Sequence, residues 1–345
     1  MRGKCLVVGG YVLLGHGGVG LVIPAGDLYI DVIIGFETSG TPGLHVILED
    51  TDLRRFLVSW PIGDCGTVDK EIRYVCAATV AYYGWWRLDL GVPLKIHIRT
   101  ASCGTRGKLG IGTSAIVTVA VVRALSQAVG PKLTEKEICI VSHRAILLAQ
   151  GGGSGYDAYA VVYQRPLIYK QSLKYLREMA TNETGGTRSR AYAAQPGCRF
   201  VTLDRRLQYT LLKPWEFDTL STSTTKRLGK LPSGYQDLPG FTRLRKATRR
   251  LLCLLAGSLG PEKHVEVSRR IRRYREAQRE FGQQTGINIE PLEISPHLDR
   301  LSSLPGVLGA YCVGAGGYDA FLCLSVRDVS DLDALAAEYR FLDLF

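Results

Sequence analysis

The stretch Lys108-Leu109-Gly110-Ile111-Gly112-Thr113-Ser114 leads from a glycine-rich loop into an apolar segment that continues to Val129. Glycines let the backbone approach a ligand closely, and the first free N–H groups of a helix bind phosphate oxygens. The hydroxyls of Thr113 and Ser114 can add contacts to a phosphate or a metal ion. We therefore predict a phosphate loop that opens a buried helix, Ser114–Val129. The alternative is an ordinary helix cap after a flexible loop.

Outward from this stretch, the hydrophobic periodicity predicts a mixture of strands and helices, an α+β fold. The predicted strands are Lys4–Leu14, Leu21–Ile34, Val46–Glu49, Phe56–Ser59, Pro93–Arg99, 200–202, 208–212, 307–313 and 320–326. The predicted helices are 70–83, 114–129, 134–150, 240–258, 262–281 and 331–339. Thr134 and Glu137 have the spacing of a capping box, so we expect the third of these helices to begin there.

Three further glycine clusters are candidates for ligand contact. The first, Gly15–Gly20, matches the dinucleotide fingerprint, but a strand-like segment follows it where that motif requires a helix, so we interpret it as a hairpin turn. The second, Gln150–Asp157, places one carboxylate after four glycines. Asp157 suits a general base or an orienting group, and a turn or helix cap is the alternative. The third, Gly314–Ala320, lies between two apolar runs. The phosphate loop and the last two clusters, each flanked by regular structure, together indicate one phosphate-rich cleft.

Length and composition favour a two-domain protein without a membrane span. The chain has 345 residues, of which 46% are hydrophobic, and no apolar run is long enough for a transmembrane helix. The polar segment 171–199 is predicted to connect an N-terminal domain, 1–170, with a C-terminal domain, 200–345. The nine cysteines show no C-x-x-C pair, which predicts reduced, buried thiols and a cytoplasmic location.

The net charge of +11 predicts attraction of an anion. Much of this charge lies in Arg243–Arg250 and Arg269–Arg279, and the second of these segments has the spacing of an amphipathic helix. No aromatic residues alternate with the cations in the way that nucleic-acid motifs require. We therefore expect a phosphorylated metabolite, and neither nucleic acid nor a membrane, as the partner.

Four segments together resemble the GHMP kinase superfamily, and within it the phosphomevalonate kinases of the fungal and bacterial type. They are the opening Gly3–Leu14, the phosphate loop Lys108–Ala115, the segment Gln150–Asp157 and the closing Gly-Ala-Gly-Gly-Tyr-Asp-Ala at Gly314–Ala320. The run Asn288-Ile289-Glu290-Pro291 is also similar to that family. The resemblance extends from Gly3 to about Val326. It implies a two-domain GHMP kinase fold with an active-site cleft between the domains.

The resemblance also implies the site residues and the partners. Lys4 and Asp157 are the expected catalytic residues, and Ser114 and Asp157 the expected ligands of Mg²⁺. ATP phosphates are expected at Lys108, Gly110, Gly112, Thr113 and Ser114, and the second substrate at Ser154, Gly155, Ser221, Gly316 and Gly317. The implied partners are ATP and 5-phosphomevalonate, which would be phosphorylated to 5-diphosphomevalonate in the mevalonate route to isoprenoids. The expected assembly is a monomer or a homodimer.

Two other functions remain open at this stage. One is a GHMP kinase acting on a different small molecule, for example a mevalonate kinase-like enzyme, and the closing Gly314–Ala320 segment argues against it. The other is a catalytically inactive, ligand-sensing relative, and the presence of both Lys4 and Asp157 argues against that.

Overall fold

The computed structural model describes residues 2–38, 41–49, 53–102, 112–180, 196–217, 230–257, 259–327, 335 and 337–344. The strands are β1 (Arg2–Val8), β2 (Val19–Phe36), β3 (Gly43–Glu49), β4 (Leu53–Ser59), β5 (Leu94–Ser102), β6 (Leu167–Lys170), β7 (Gly197–Phe200), β8 (Leu207–Pro214), β9 (Val307–Cys312), β10 (Phe321–Val326) and β11 (Tyr339–Asp343). The α-helices are α1 (Arg73–Trp86), α2 (Thr113–Ala128), α3 (Glu135–Gln150), α4 (Tyr156–Tyr163), α5 (Leu173–Ala180), α6 (Pro239–Leu255), α7 (His264–Thr285) and α8 (Ser295–Ser302). The α+β prediction is confirmed.

Two sheets organise the described part of the chain. The larger has seven strands in the order β4-β3-β5-β2-β6-β7, with β1 paired to β2. The smaller has four strands in the order β11-β8-β10-β9. The long strand β2 joins the two parts of the larger sheet, because its first half pairs with β1 and β6 and its second half pairs with β5. Strand β1 thus lies where the larger sheet meets the helices of the second half.

The hydrophobic core follows this division. Helices α1 to α4 pack with the larger sheet in one cluster, to which Leu6 of β1 contributes. Val7 of the same strand belongs to a second cluster, which also contains Phe281 of α7. Successive strand residues point to opposite faces, so β1 supplies both cores. The domain boundaries inferred from the sequence stay a prediction, and the second core combines residues from both halves of the chain.

The helix starts that depend on local chemistry were predicted correctly. The Thr134 side chain accepts a hydrogen bond from the Glu137 backbone N–H, and the Glu137 side chain accepts one from the Thr134 backbone, which completes the capping box. Helix α2 begins at Thr113, one residue before the predicted start, and Ile116, Val119 and Leu125 are among its buried residues.

The first predicted strand, Lys4–Leu14, is wrong beyond Val8. The chain turns at Gly9, whose φ is +112°, and a short 3₁₀ helix, Tyr11–Leu14, follows. A Cβ at Gly9 would lie 2.5 Å from the Val19 carbonyl oxygen, so only glycine allows this close return to β2. Strand β2 begins at Val19, inside the cluster Gly15–Gly20, and pairs antiparallel with β1, so a strand follows these glycines where the dinucleotide motif requires a helix. The connection between the two strands is longer than the predicted hairpin turn, because it begins at Gly9 and includes the 3₁₀ helix.

Other corrections concern short elements. The connecting segment 171–199 contains α5 and most of β7. Helix α5 was not predicted because its sequence is polar and, of its side chains whose burial is described, those of Tyr175 and Met179 alone are deeply buried. Helix α8 was not predicted, and Pro296 lies in its first turn, where proline is tolerated. Of the predicted helix 331–339, Tyr339 instead begins β11, and most of the remainder lies outside the described residues.

Two expectations from composition can be compared with the structure. Among the residues described, no helix has both the length and the apolar character needed to cross a membrane. The cysteines within the described ranges form no disulfide with one another, and Cys5, Cys312 and Cys323 are buried, as predicted. Cys253 is exposed, contrary to the expectation that the cysteines are buried, because it lies on the outer face of α6.

Candidate active site

Lys4 and Asp157 form an ion pair. They are far apart in the sequence, since Tyr156, the residue before Asp157, comes 152 positions after Lys4. The Lys4 Nζ lies 2.5 Å from Asp157 Oδ1, and the two side chains are 9% and 25% exposed. Strand β1 carries Lys4, and the first turn of α4 carries Asp157. The pair therefore lies in a nearly closed position that still admits a ligand to the carboxylate.

Tyr156 adds a second contact to the ammonium group. Its hydroxyl accepts a hydrogen bond from Lys4 Nζ at 3.1 Å. Burial alone would lower the pKa of Lys4, but the Asp157 carboxylate and the Tyr156 hydroxyl outweigh it and hold that pKa above its usual range. Burial raises the pKa of Tyr156 to about 12, so the phenol stays protonated. A fixed positive charge is thus held at the centre of the site.

The start of helix α2 lies against the same lysine. Gly112 caps the helix with a φ of +75°, and a Cβ there would lie only 2.5 Å from Lys4 Cε. The first N–H groups of a helix have no partner within it, and they carry partial positive charge. Together with Lys4, this end of α2 can attract an anion. Thr113 is exposed at this end and Ser114 is half-buried.

The aromatic rings of His143 and Tyr169 pack against the segment that precedes Asp157. Gly155 has a φ of +84°, and a Cβ there would meet the ring of His143 at 2.5 Å. The Tyr169 hydroxyl donates to the carbonyl oxygen of the buried Ser154 at 2.6 Å. Burial lowers the pKa of His143 to about 4, so the ring is neutral at neutral pH. The loop before α4 therefore rests on an uncharged, tightly packed support.

The closing glycine loop reaches β1 from the opposite side. The Gly314 N–H donates to the Leu6 carbonyl oxygen at 3.4 Å, and the Gly314 carbonyl oxygen leaves no room for a side chain at Gly10. Leu6 follows Lys4 by two residues, a separation of about 7 Å along a strand. The Tyr11 hydroxyl donates to the Ala315 carbonyl oxygen at 2.9 Å, which fastens the loop further.

Most of the predicted site residues therefore gather around strand β1. Lys4 contacts both Asp157 and Gly112, and Ser154 and Gly155 lie in the segment just before Asp157. The Gly316–Gly317 turn belongs to the loop whose Gly314 contacts Leu6. Lys108, Gly110 and Ser221 lie outside the described residues. The roles assigned to all these residues stay predictions.

Sequence reasoning missed the residues that support the site. Tyr156, His143 and Tyr169 hold Lys4 or the segment before Asp157. Tyr156 lies within the segment Gln150–Asp157 but was given no role, and His143 and Tyr169 belong to none of the segments singled out from the sequence. Tyr156 is adjacent to Asp157, which is the only signal that could have suggested it. Within the described ranges, no three His, Cys, Asp or Glu side chains are grouped closely enough to hold a metal ion.

Comparison with known proteins identifies the class of fold. Residues 74–165 match the family model of the GHMP kinases N terminal domain. A phosphomevalonate kinase of Aspergillus fumigatus is 26% identical over 268 residues, which cover 65% of this chain and 51% of that protein. The chain thus spans about half the length of this curated relative.

Solved structures extend the likeness over nearly the whole chain. The phosphomevalonate kinase of Streptococcus pneumoniae, in complex with phosphomevalonate and AMPPNP, superimposes with a TM-score of 0.69 at 16% identity and covers 94% of this chain and 91% of its own. The mevalonate kinase of Methanococcus jannaschii gives a TM-score of 0.66 at 13% identity, with 99% and 95% covered. The protein therefore has the fold of these kinases, and residues 74–165 are similar to the GHMP kinases N terminal domain. The resemblance inferred from the sequence is confirmed at this level.

Proposed function

We propose that the protein is a phosphomevalonate kinase, which transfers the γ-phosphoryl group of ATP to the phosphate of 5-phosphomevalonate. The observation that carries the proposal is the Lys4–Asp157 pair at the N-terminus of α2, 2.5 Å between Nζ and Oδ1. The similarity to phosphomevalonate kinases, one of them solved with phosphomevalonate and AMPPNP, supports this choice of acceptor.

The cationic groups around β1 suit the proposed phosphoryl transfer. An oxygen of the acceptor phosphate attacks the γ-phosphorus, the bond from that phosphorus to the β–γ bridging oxygen breaks, and ADP leaves with the electron pair. The N–H groups and hydroxyls at Gly112, Thr113 and Ser114, with Lys108 and Gly110, would hold the ATP phosphates. The Lys4 ammonium would neutralise charge on the transferred group, since such reactions depend on positioning and electrostatics.

Asp157 need not act as a strong base. A phosphate acceptor is already an anion at neutral pH, and the carboxylate is engaged by Lys4. We therefore assign Asp157 to orienting the acceptor and the ATP-bound metal ion. Ser154, Gly155, Ser221 and the Gly316–Gly317 turn would contact the acceptor.

The residues also fit the magnesium ion of MgATP. Mg²⁺ is commonly bound through one or two carboxylates together with substrate phosphates, and Asp157 and the Ser114 hydroxyl are donors of the required kind. When bound, the ion would neutralise charge on the β- and γ-phosphates.

The experiment is a coupled ADP-release assay with 5-phosphomevalonate, mevalonate and homoserine side by side. We expect kcat/KM for 5-phosphomevalonate to exceed that for mevalonate by about a thousandfold or more, because cations arranged for a phosphate are left poorly paired by a hydroxyl. A preference for mevalonate would support the mevalonate kinase-like alternative. Binding without any turnover would support an inactive, ligand-sensing relative.

Gly112→Ala tests the placement of ATP at the start of α2. The new methyl group would displace Lys4 and strain a left-handed residue, so we expect kcat/KM to fall by about a hundredfold, as misplacement by about 1 Å can cause. The control is Gly151→Ala, since Gly151 has the same φ of +75° with no heavy atom within 4 Å of an added Cβ.

We expect both variants to lose about 1 kcal/mol of stability from backbone strain, and only Gly112→Ala to lose activity. Equal kinetic effects in the two variants would show that Lys4 and the α2 terminus do not act together. Thermal unfolding and steady-state kinetics measure the two quantities separately.

A further inference from the structure

Helix α7 contacts the segments that surround the closing glycine loop. The Tyr274 hydroxyl accepts a hydrogen bond from the Gly9 N–H at 3.3 Å. The Gln278 side chain donates to the Cys312 carbonyl oxygen at 2.9 Å, at the end of the strand that enters the loop. Arg275 lies between these two residues on the buried side of the helix. One helix thus braces the turn after β1 and the strand before the loop.

Arg275 forms a buried, two-pronged ion pair with Glu290. Its Nε lies 2.8 Å from Glu290 Oε2, and its Nη2 lies 2.6 Å from Oε1. The Glu290 side chain is 0% exposed, and its Oε1 also accepts a hydrogen bond from the Ser295 hydroxyl at 2.7 Å. A bidentate pair of this kind fixes geometry as well as charge. The backbone at Glu290 is therefore locked to α7.

The residue before Glu290 supports the glycine turn directly. The Ile289 carbonyl oxygen accepts a hydrogen bond from the Gly317 N–H at 2.8 Å. A Cβ at Gly316 would lie only 2.2 Å from the same oxygen, so the turn is packed tightly on this peptide group. Gly316 and Gly317 have φ values of +69° and +78°, a conformation that glycine adopts without strain.

We propose that Arg275 and Glu290 are positioning residues that hold the Gly316–Gly317 turn in place for the acceptor substrate. The connection runs from the guanidinium to the Glu290 carboxylate, along one peptide to the Ile289 carbonyl, and from there to the Gly317 N–H. This connection gives a role to the run Asn288–Pro291, which resembles the GHMP kinase family in sequence but has no part in the proposed reaction. The inference rests on the proposed function, because that function assigns the turn to the acceptor.

Glu290→Gln is the main test, because it keeps the shape of the side chain and removes its charge. Hydrogen exchange of the peptide that contains Gly317 is measured first, without any substrate. We expect exchange to accelerate about tenfold, because the loss of a hydrogen bond to a charged group changes an equilibrium constant by about this factor or more. In steady-state kinetics we expect KM for 5-phosphomevalonate to rise about tenfold while KM for ATP changes less than about twofold.

Two further variants make the result interpretable. Ser295→Ala removes one hydrogen bond to Glu290, so it should shift both quantities in the same direction by a smaller factor, and it keeps the test available if Glu290→Gln does not fold. Glu266→Gln is the matched control, because the half-buried Glu266 also pairs with arginines, Arg269 and Arg270, but within the first part of the same helix. We expect it to behave as the parent protein.

Unchanged exchange at Gly317 in Glu290→Gln and Ser295→Ala would overturn the proposal, whatever the substrate is. Faster exchange with an unchanged KM for the acceptor would also overturn it, because the pair would then be structural only. If 5-phosphomevalonate is not turned over by the parent protein, the proposed function fails, and exchange alone still decides whether the pair holds the turn.

Discussion

Asp157→Asn is expected to lower kcat by about a thousandfold while KM for ATP changes by less than about threefold. Asparagine keeps the size of the side chain and one oxygen for Lys4, but it loses the charge that would align the acceptor and the metal ion. The loss should therefore appear in the transition state and not in nucleotide binding. Steady-state kinetics and ATP titration measure the two effects.

The change also leaves the ammonium of Lys4 without its counter-charge, so stability must be followed by thermal unfolding. Asp204→Asn is the matched control. The Asp204 side chain is 7% exposed and pairs with Arg206 at 2.7 Å, away from β1. We expect Asp204→Asn to lower stability without lowering kcat. A near-parental kcat in Asp157→Asn would mean that Asp157 has only a structural role, in the first turn of helix α4.

Lys4→Met should lower kcat by roughly 10²–10³, because a neutral side chain cannot offset the charge on the transferred group. The double variant Lys4→Met/Asp157→Asn should be little slower than the slower single variant, since residues that act as a unit give non-additive losses. Kinetics of the two single variants and the double variant test this. Lys170→Met, on an exposed residue of β6, is the control and should be unaffected.

Strictly additive losses in the double variant would contradict a shared role. They would mean that the 2.5 Å contact between Lys4 and Asp157 has no bearing on the chemistry.

Sequence alone identified the features that depend on neighbouring residues. The Thr134–Glu137 capping box, the glycine at the start of α2 and the hairpin before β2 all follow from local spacing, and all are present. Helix α5 and strand β11 were missed because tertiary contacts decide them. Tyr339, for example, pairs with Pro214 of β8, and no pattern within residues 331–339 indicates that partner.

The candidate site shows the same limit. Lys4 and Asp157 were paired only through resemblance to a family, because no periodicity relates residues so far apart in the chain. The Tyr156 hydroxyl and the Ile289 carbonyl act through contacts that exist only after the segments pack together. Glycines at 155 and 316 were visible in the sequence, but the His143 ring and the Ile289 oxygen that require them were not.

Identification of the product by ³¹P NMR is the most direct test of the central claim that a phosphate is the acceptor. After incubation with MgATP and 5-phosphomevalonate, the account predicts two new pairs of coupled phosphorus signals, one from ADP and a second from 5-diphosphomevalonate, whose two phosphorus atoms share a bridging oxygen. These signals should be absent with the Asp157→Asn variant over the same time. A new, uncoupled phosphomonoester signal, or conversion of mevalonate while 5-phosphomevalonate stays unchanged, would contradict the account.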